Sequence, residues 1–216
     1  MTELEKKMIE SLSIDHNKET IDGLFTSSVG IATMIADYAH KYQTRENGNT
    51  YLVHPHRMLH QYRIMMGIDV NNFDIDECYK HDIPFWGVQE VCLLHDVVED
   101  TEITLEEIKQ VYIDHDLEKY FKMYMEVPLR LITHDKSEEY IAYLAKVIQH
   151  PISALVKLLD LNDNLGIFDL AEINNEKLDR MHRYVEYIGF IDHYYDFIKK
   201  IYEYSQVIEN YVLKNS

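Results

Sequence analysis

His95 and Asp96 stand side by side in VCLLHDVVEDT (91–101), with Glu99 four residues after the first and Asp100 four after the second. An imidazole beside a carboxylate is a donor pair used for divalent ions of borderline to hard character. If the segment is helical, residues four apart share a face. The four polar side chains then form one stripe, opposite Val91, Leu94, Val97 and Val98. The two later acids would be placed to handle the proton of an attacking water. Metal chemistry accounts for so polar a stripe in so apolar a segment.

A metal needs further ligands, and two positions offer them. His54 lies in YLVHP, where a loop turns into a helix; capping that helix is its alternative use. Asp160 follows an apolar run in ALVKLLDLNDN. A carboxylate there is costly unless it is charge-paired or binds a metal, so a buried salt bridge is its alternative. Asn164 shares its helix face, Asp163 is a fallback ligand, and Lys157 is read as a surface or outer charge. Glu99 and Asp100 could instead favour the start of the next helix.

The elements that must position these residues read as helices. The chain has 216 residues, enough for one domain with a sizeable core. Only 7 Gly and 4 Pro, with few alternating apolar runs, point to an all-α fold of about nine or ten helices. They are expected over 3–13, 27–42, 55–66, 85–99, 104 onward behind a Thr104–Glu107 capping box, and 115–132 with a break near Pro128. Ser137 is expected to cap a helix reaching Gln149, and His150-Pro151 to open another. A helical region follows over 170–213. Residues 69–85 read as loop, with a short helix around Glu77.

The net charge of -17 argues against duplex nucleic acid or an anionic membrane as partner. Cys78 and Cys92 fit neither a disulfide framework nor a zinc knuckle. The N-terminus is charged where a signal peptide is apolar, and no apolar run nears the roughly 18 residues of a membrane span. A cytoplasmic location is expected.

The order His, His-Asp, distant Asp resembles the HD-domain metal phosphohydrolases. The segments AHKYQTRENGNTYLVHP (39–55), CLLHDVVEDT (92–101), ITHDKSEEY (132–140) and VKLLDLNDN (156–164) come in the order of the RelA/SpoT-type hydrolase domain and the small stand-alone alarmone hydrolases. The resemblance runs over about 27–168 and weakly through the C-terminal helices, so 1–216 is taken as a single HD-type domain. It implies that His54, His95, Asp96 and Asp160 hold one divalent ion, Mn2+ in the family. It places Glu99 and Asp100 beside the attacking water, Arg45 against the nucleotide base, and Tyr51, Thr133, Lys136 and Asn164 around the rest of the nucleotide. The implied reaction removes the 3′-pyrophosphate of ppGpp or pppGpp. The chain departs from the family at Glu46, where a basic residue is usual, at Thr50 and Leu159, and at Gly166 and Ile167. Two cations near the substrate are thereby lost. Another nucleotide, such as an adenine alarmone or a nucleoside monophosphate, therefore stays open, as does a non-catalytic nucleotide sensor. The oligomeric state is not legible.

Overall fold

The computed structural model describes residues 1–11, 25, 27–65, 86–166 and 174–194. These form α1 (Glu3–Ser11), α2 (Ser28–His40), α3 (Val53–Met65), α4 (Val88–Leu94), α5 (Val97–Asp100), α6 (Leu105–Asp114), α7 (Glu118–Tyr124), α8 (Glu126–Ile132), α9 (Tyr140–Val147) and α10 (Pro151–Asn164). Residues 175–194 are also helical. The described residues contain no strand, only an isolated Thr44–Thr50 bridge, so the fold is all-α. None of the described helices is long and apolar enough to cross a membrane. The expected loop and short helix over 69–85, the helix start at Phe85, and helix over 170–173 and 195–213 lie outside the described residues.

α4 is the centre of the bundle. All its residues except Gln89 are buried, as suits a short helix enclosed on every side. α2, α3 and α10 pack directly on it, and α10 also packs on α3. α3 turns His54, Pro55, Met58, Leu59 and Tyr62 inward, a helical repeat that puts one polar ring among apolar neighbours. The principal core spans α1 to α8 and the start of α10. A smaller one joins α9, the far side of α10 and Ile191 of the 175–194 helix.

Several helix ends follow from identifiable side chains. Ser27 caps α2 by accepting from the Gly30 N–H at 3.0 Å. The Thr104–Glu107 capping box is formed. Pro55 sits in the first turn of α3, where a missing N–H costs no helical bond.

Three expectations are corrected. The helix expected over 85–99 is broken at His95–Asp96 into α4 and α5. In an unbroken helix adjacent side chains diverge; here Asp96 adopts φ -101°, ψ -6°, and His95 Nε2 comes to 2.9 Å from Asp96 Oδ2. The break expected near Pro128 falls at Met125. Pro128 has no N–H to give the Tyr124 carbonyl, so α7 ends there and Pro128 fits the first turn of α8. Ser137 does not cap a helix: its N–H and hydroxyl both donate to Asp135 Oδ1, at 2.9 and 2.7 Å, and α9 starts at Tyr140.

Candidate metal centre

Three helical regions converge on one point. His54 comes from the first turn of α3, His95 and Asp96 from the break between α4 and α5, and Asp160 from the third turn of α10. His54, His95 and Asp96 each offer a ligand atom, all within 4.8 Å of one another. Asp160 Oδ1 stands 3.2 Å from His54 Nε2 and 3.9 Å from His95 Nε2. Its Oδ2 turns away and accepts from Lys157 Nζ at 2.7 Å.

The histidine partners fix which nitrogen faces the centre. His95 Nδ1 is 2.9 Å from the Cys92 carbonyl, which can only accept, so Nδ1 carries a proton. His54 Nδ1 lies 2.7 Å from Asp163 Oδ2. Both Nε2 atoms are buried and neither makes a well-aligned hydrogen bond, although Asp160 Oδ1 and Asp96 Oδ2 stand 3.2 and 2.9 Å away. Buried polar atoms without such a bond are rare and call for a cause. Two such imidazole nitrogens facing two carboxylates are a donor set that fits a divalent ion.

The electrostatics agree. Burial opposes charge on His54, yet Asp160, Asp163 and Asp96 outweigh it and push its pKa up to about 9. Burial likewise opposes ionisation of Asp96 and Asp160, but His95 beside the first and Lys157 beside the second hold both well below the usual carboxylate range. His54 and Lys157 thus set positive charge against Asp96 and Asp160.

A cavity of about 150 Å³ adjoins the cluster, lined by Asp96, Glu99, Lys157, Asp160 and Asn164 among others. Glu99 Oε2 accepts from the His134 backbone N–H at 3.0 Å. Burial, with Asp96 and Asp100 nearby, raises the Glu99 pKa above its ordinary value. Asp100 departs from the expected common stripe: it is 38% exposed, is not among the cavity's lining residues, and pairs with Lys136 at 3.4 Å.

Tyr51 donates its hydroxyl to Asp96 Oδ2, and the Arg45 guanidinium lies 5.4 Å from the Tyr51 ring centre. Arg45 Nη2 donates to Asn164 Oδ1 at 3.0 Å, and Asn164 Nδ2 donates to Asp160 Oδ1 at 2.5 Å. Arg45 is held there by the 44–50 turn, which Gly48 closes at φ +85°. Thr133 and Lys136 are not among the cavity's lining residues; the Thr133 hydroxyl donates to the Leu129 carbonyl at 2.8 Å.

Of the two readings of Lys157, the surface charge is corrected and the charge behind a candidate ligand is found, since it bonds Asp160 Oδ2. It is 11% exposed and lines the cavity, because its place on α10, three residues before Asp160, turns it inward between Tyr140 and Tyr143. The salt-bridge reading of Asp160 is met by Oδ2 and Lys157, while Oδ1 faces the two histidines. Asp163, the fallback ligand, faces the Nδ1 side of His54, away from the cluster. His134, Tyr140, Tyr143 and Tyr184 also line the cavity and were not singled out. His134 and Tyr140 lie in a segment quoted for the resemblance. Tyr184 carried no local signal, since only packing of the 175–194 helix brings it in.

No family model matches the chain, and no curated protein matches it. Among solved structures, the chain is similar to a metazoan protein described as an ortholog of SpoT that hydrolyzes ppGpp and plays a role in starvation responses. The two share 22% sequence identity at a TM-score of 0.51, over 81% of this chain and 95% of that one. The likeness shows a common fold.

Proposed function

We propose that this protein is a divalent-metal-dependent phosphohydrolase that removes the 3′-pyrophosphate of ppGpp and pppGpp, leaving GDP or GTP. The pair of buried Nε2 atoms facing Asp96 and Asp160 without a well-aligned hydrogen bond carries this reading. The metazoan protein of like fold, described as hydrolyzing ppGpp, supports the substrate.

His54, His95, Asp96 and Asp160 would hold one ion, with Mn2+ the expected metal. Bound there, such an ion lowers the pKa of water and neutralises charge growing on phosphoryl oxygens. The chain's own residues do the rest. Glu99, its pKa raised within the cavity, takes a proton from the attacking water. Lys157 offers positive charge on the cavity wall beside the phosphoryl group. The departing 3′ oxygen needs a proton once its bond to phosphorus breaks; the one Glu99 takes from the water can supply it, with Asp100 assigned to assist the transfer. The cavity walls carry Glu99, Lys157 and Asp160, which suits the phosphoryl end of the substrate, and Arg45 and Tyr51 are not among its lining residues. The base is assigned to Arg45, a flat cation 5.4 Å from the Tyr51 ring centre.

One observation favours another nucleotide. Glu46 stands where the family carries a cation, and it pairs with Lys177 and with Arg180, the latter at 3.5 Å. The positive charges of Lys177 and Arg180 are thus engaged by Glu46 within the protein. The deciding experiment incubates purified protein and Mn2+ with ppGpp, ppApp, GTP and dAMP, each beside a chelator control. Chelator-sensitive release of pyrophosphate from ppGpp, leaving GDP, is expected. Turnover of a different nucleotide would keep the metal mechanism and replace the substrate. Tight binding without turnover of any of them would replace the enzyme with a sensor.

A further inference from the structure

α10 grips the His54 ring at both nitrogens. Asp160 faces Nε2 at 3.2 Å, and Asp163, three residues on, meets Nδ1 at 2.7 Å. Asp163 is itself held from behind. Arg57, one turn after His54 on α3, donates from Nε to Asp163 Oδ1 at 2.8 Å and from Nη2 to Oδ2 at 2.6 Å. Gln61, a further turn along, lies 3.5 Å from the same Oδ1. The side chains of His54 and Asp163 are 1% and 2% exposed, so water does not substitute for these bonds.

A carboxylate engaged by a two-pronged guanidinium is an acceptor only, and its position is fixed. The ring nitrogen facing it must donate. In the neutral ring that a metal requires, Nε2 is then the lone-pair atom, aimed at the cluster. His95 reaches the same state through a backbone carbonyl, which no substitution at position 92 removes. His54 depends on two side chains.

We propose that Asp163 and Arg57 are positioning residues that fix the tautomer and aim of His54 as a metal ligand, an inference resting on the metal-centre reading above. Neither touches the metal or the substrate. Each acts through the ring, Asp163 directly and Arg57 by holding Asp163. The alternative is that the pair only ties α3 to α10, which would affect stability and not affinity.

The test is a titration of protein with Mn2+, reading free Mn2+ by electron paramagnetic resonance, so that turnover plays no part. Asp163→Asn keeps the volume but offers an amide N–H that can donate to Nδ1 and shift the ring proton to Nε2. It should weaken Mn2+ binding by about 10- to 100-fold, as loss of a partner behind a ligand does. Arg57→Gln should weaken it less, and the double variant no more than Asp163→Asn alone. Thermal unfolding in chelator gives the fold of each variant independently. Wild-type affinity in Asp163→Asn would overturn the proposal while leaving the metal centre standing. If Asp163→Asn fails to fold, Arg57→Gln decides: lost affinity supports the relay, unchanged affinity overturns it. A wild-type protein that takes up no Mn2+ would overturn the metal reading itself, and the relay with it.

Discussion

Asp96 and Glu99 lie one turn apart, and the reading gives them separable duties. Asp96 contacts His95 at 2.9 Å and belongs to the cluster that can hold an ion. Glu99 lines the cavity and bonds no member of that cluster, its Oε2 accepting from the His134 N–H. Asp96→Ala should therefore abolish Mn2+ binding and turnover together; full activity in that variant would remove Asp96 from the ligand set. Glu99→Gln keeps an acceptor for the His134 N–H but cannot take a proton. It should bind Mn2+ as the wild type does and hydrolyse ppGpp on the order of a hundredfold more slowly or worse. Single-turnover rates at saturating Mn2+ would show this, and an undiminished rate would discard Glu99 as the base. At this scale the sequence was informative where residue type alone restricts chemistry: His95-Asp96 and the isolated Asp160 stood out against apolar runs. Lys157, Asp163 and His134 did not, because a lysine, an aspartate or a histidine near a site has many uses. Which use it takes depends on the rotation of α10 for the first two and on the course of the chain between α8 and α9 for His134.

Helix α10 supplies Asp160 and Asn164, so the element's own start matters to the site. Its N-cap is His150, whose Nδ1 accepts from the Ile152 N–H at 3.2 Å while Pro151 fills the first turn. Burial lowers the His150 pKa from 6.5 to about 4. Because the folded value is the lower, the unfolded chain takes up the proton first as pH falls. The stability owed to neutral His150 is complete above pH 6.5 and is lost as pH falls toward 4. Allowing for its partial exposure, the loss is on the order of 2 kcal/mol. His150→Asn provides a cap that does not titrate. Urea unfolding in chelator at pH 7 and at pH 4.5 should show a larger fall for wild type than for the variant; equal falls would exclude His150 as the cause. The Thr104 capping box and the His150-Pro151 start were legible because local residues alone satisfy those helix ends. The break at His95–Asp96 was not, since apolar periodicity runs straight through it from Val91 to Val98. It falls where His95 and Asp96 meet His54 of α3 and Asp160 of α10, contacts that no local pattern encodes.

Across the whole molecule, the metal centre is also a crosslink. Its four candidate ligands arrive from α3, the α4–α5 break and α10, elements far apart in sequence that meet around α4. An unfolded chain does not hold them together, so an ion bound here stabilises only the folded state. The all-α architecture was legible from composition and periodicity. This meeting of three elements was not, because it depends on long-range packing; the resemblance alone brought the four ligands together. Mn2+ at about a hundred times its dissociation constant should add about 2.7 kcal/mol. For a chain of this length that is on the order of 5 to 10 °C in melting temperature. The increment should grow with the logarithm of Mn2+ concentration and vanish in chelator. Asp96→Ala should melt at the same temperature with and without Mn2+. A shift of equal size in that variant would show that Mn2+ acts elsewhere on this strongly acidic protein, by general screening of its -17 charge. Ca2+ at the same ionic strength separates the two causes. Screening raises the melting temperature with either ion, whereas a centre built on two imidazole nitrogens responds to Mn2+ far more than to an ion that takes oxygen ligands.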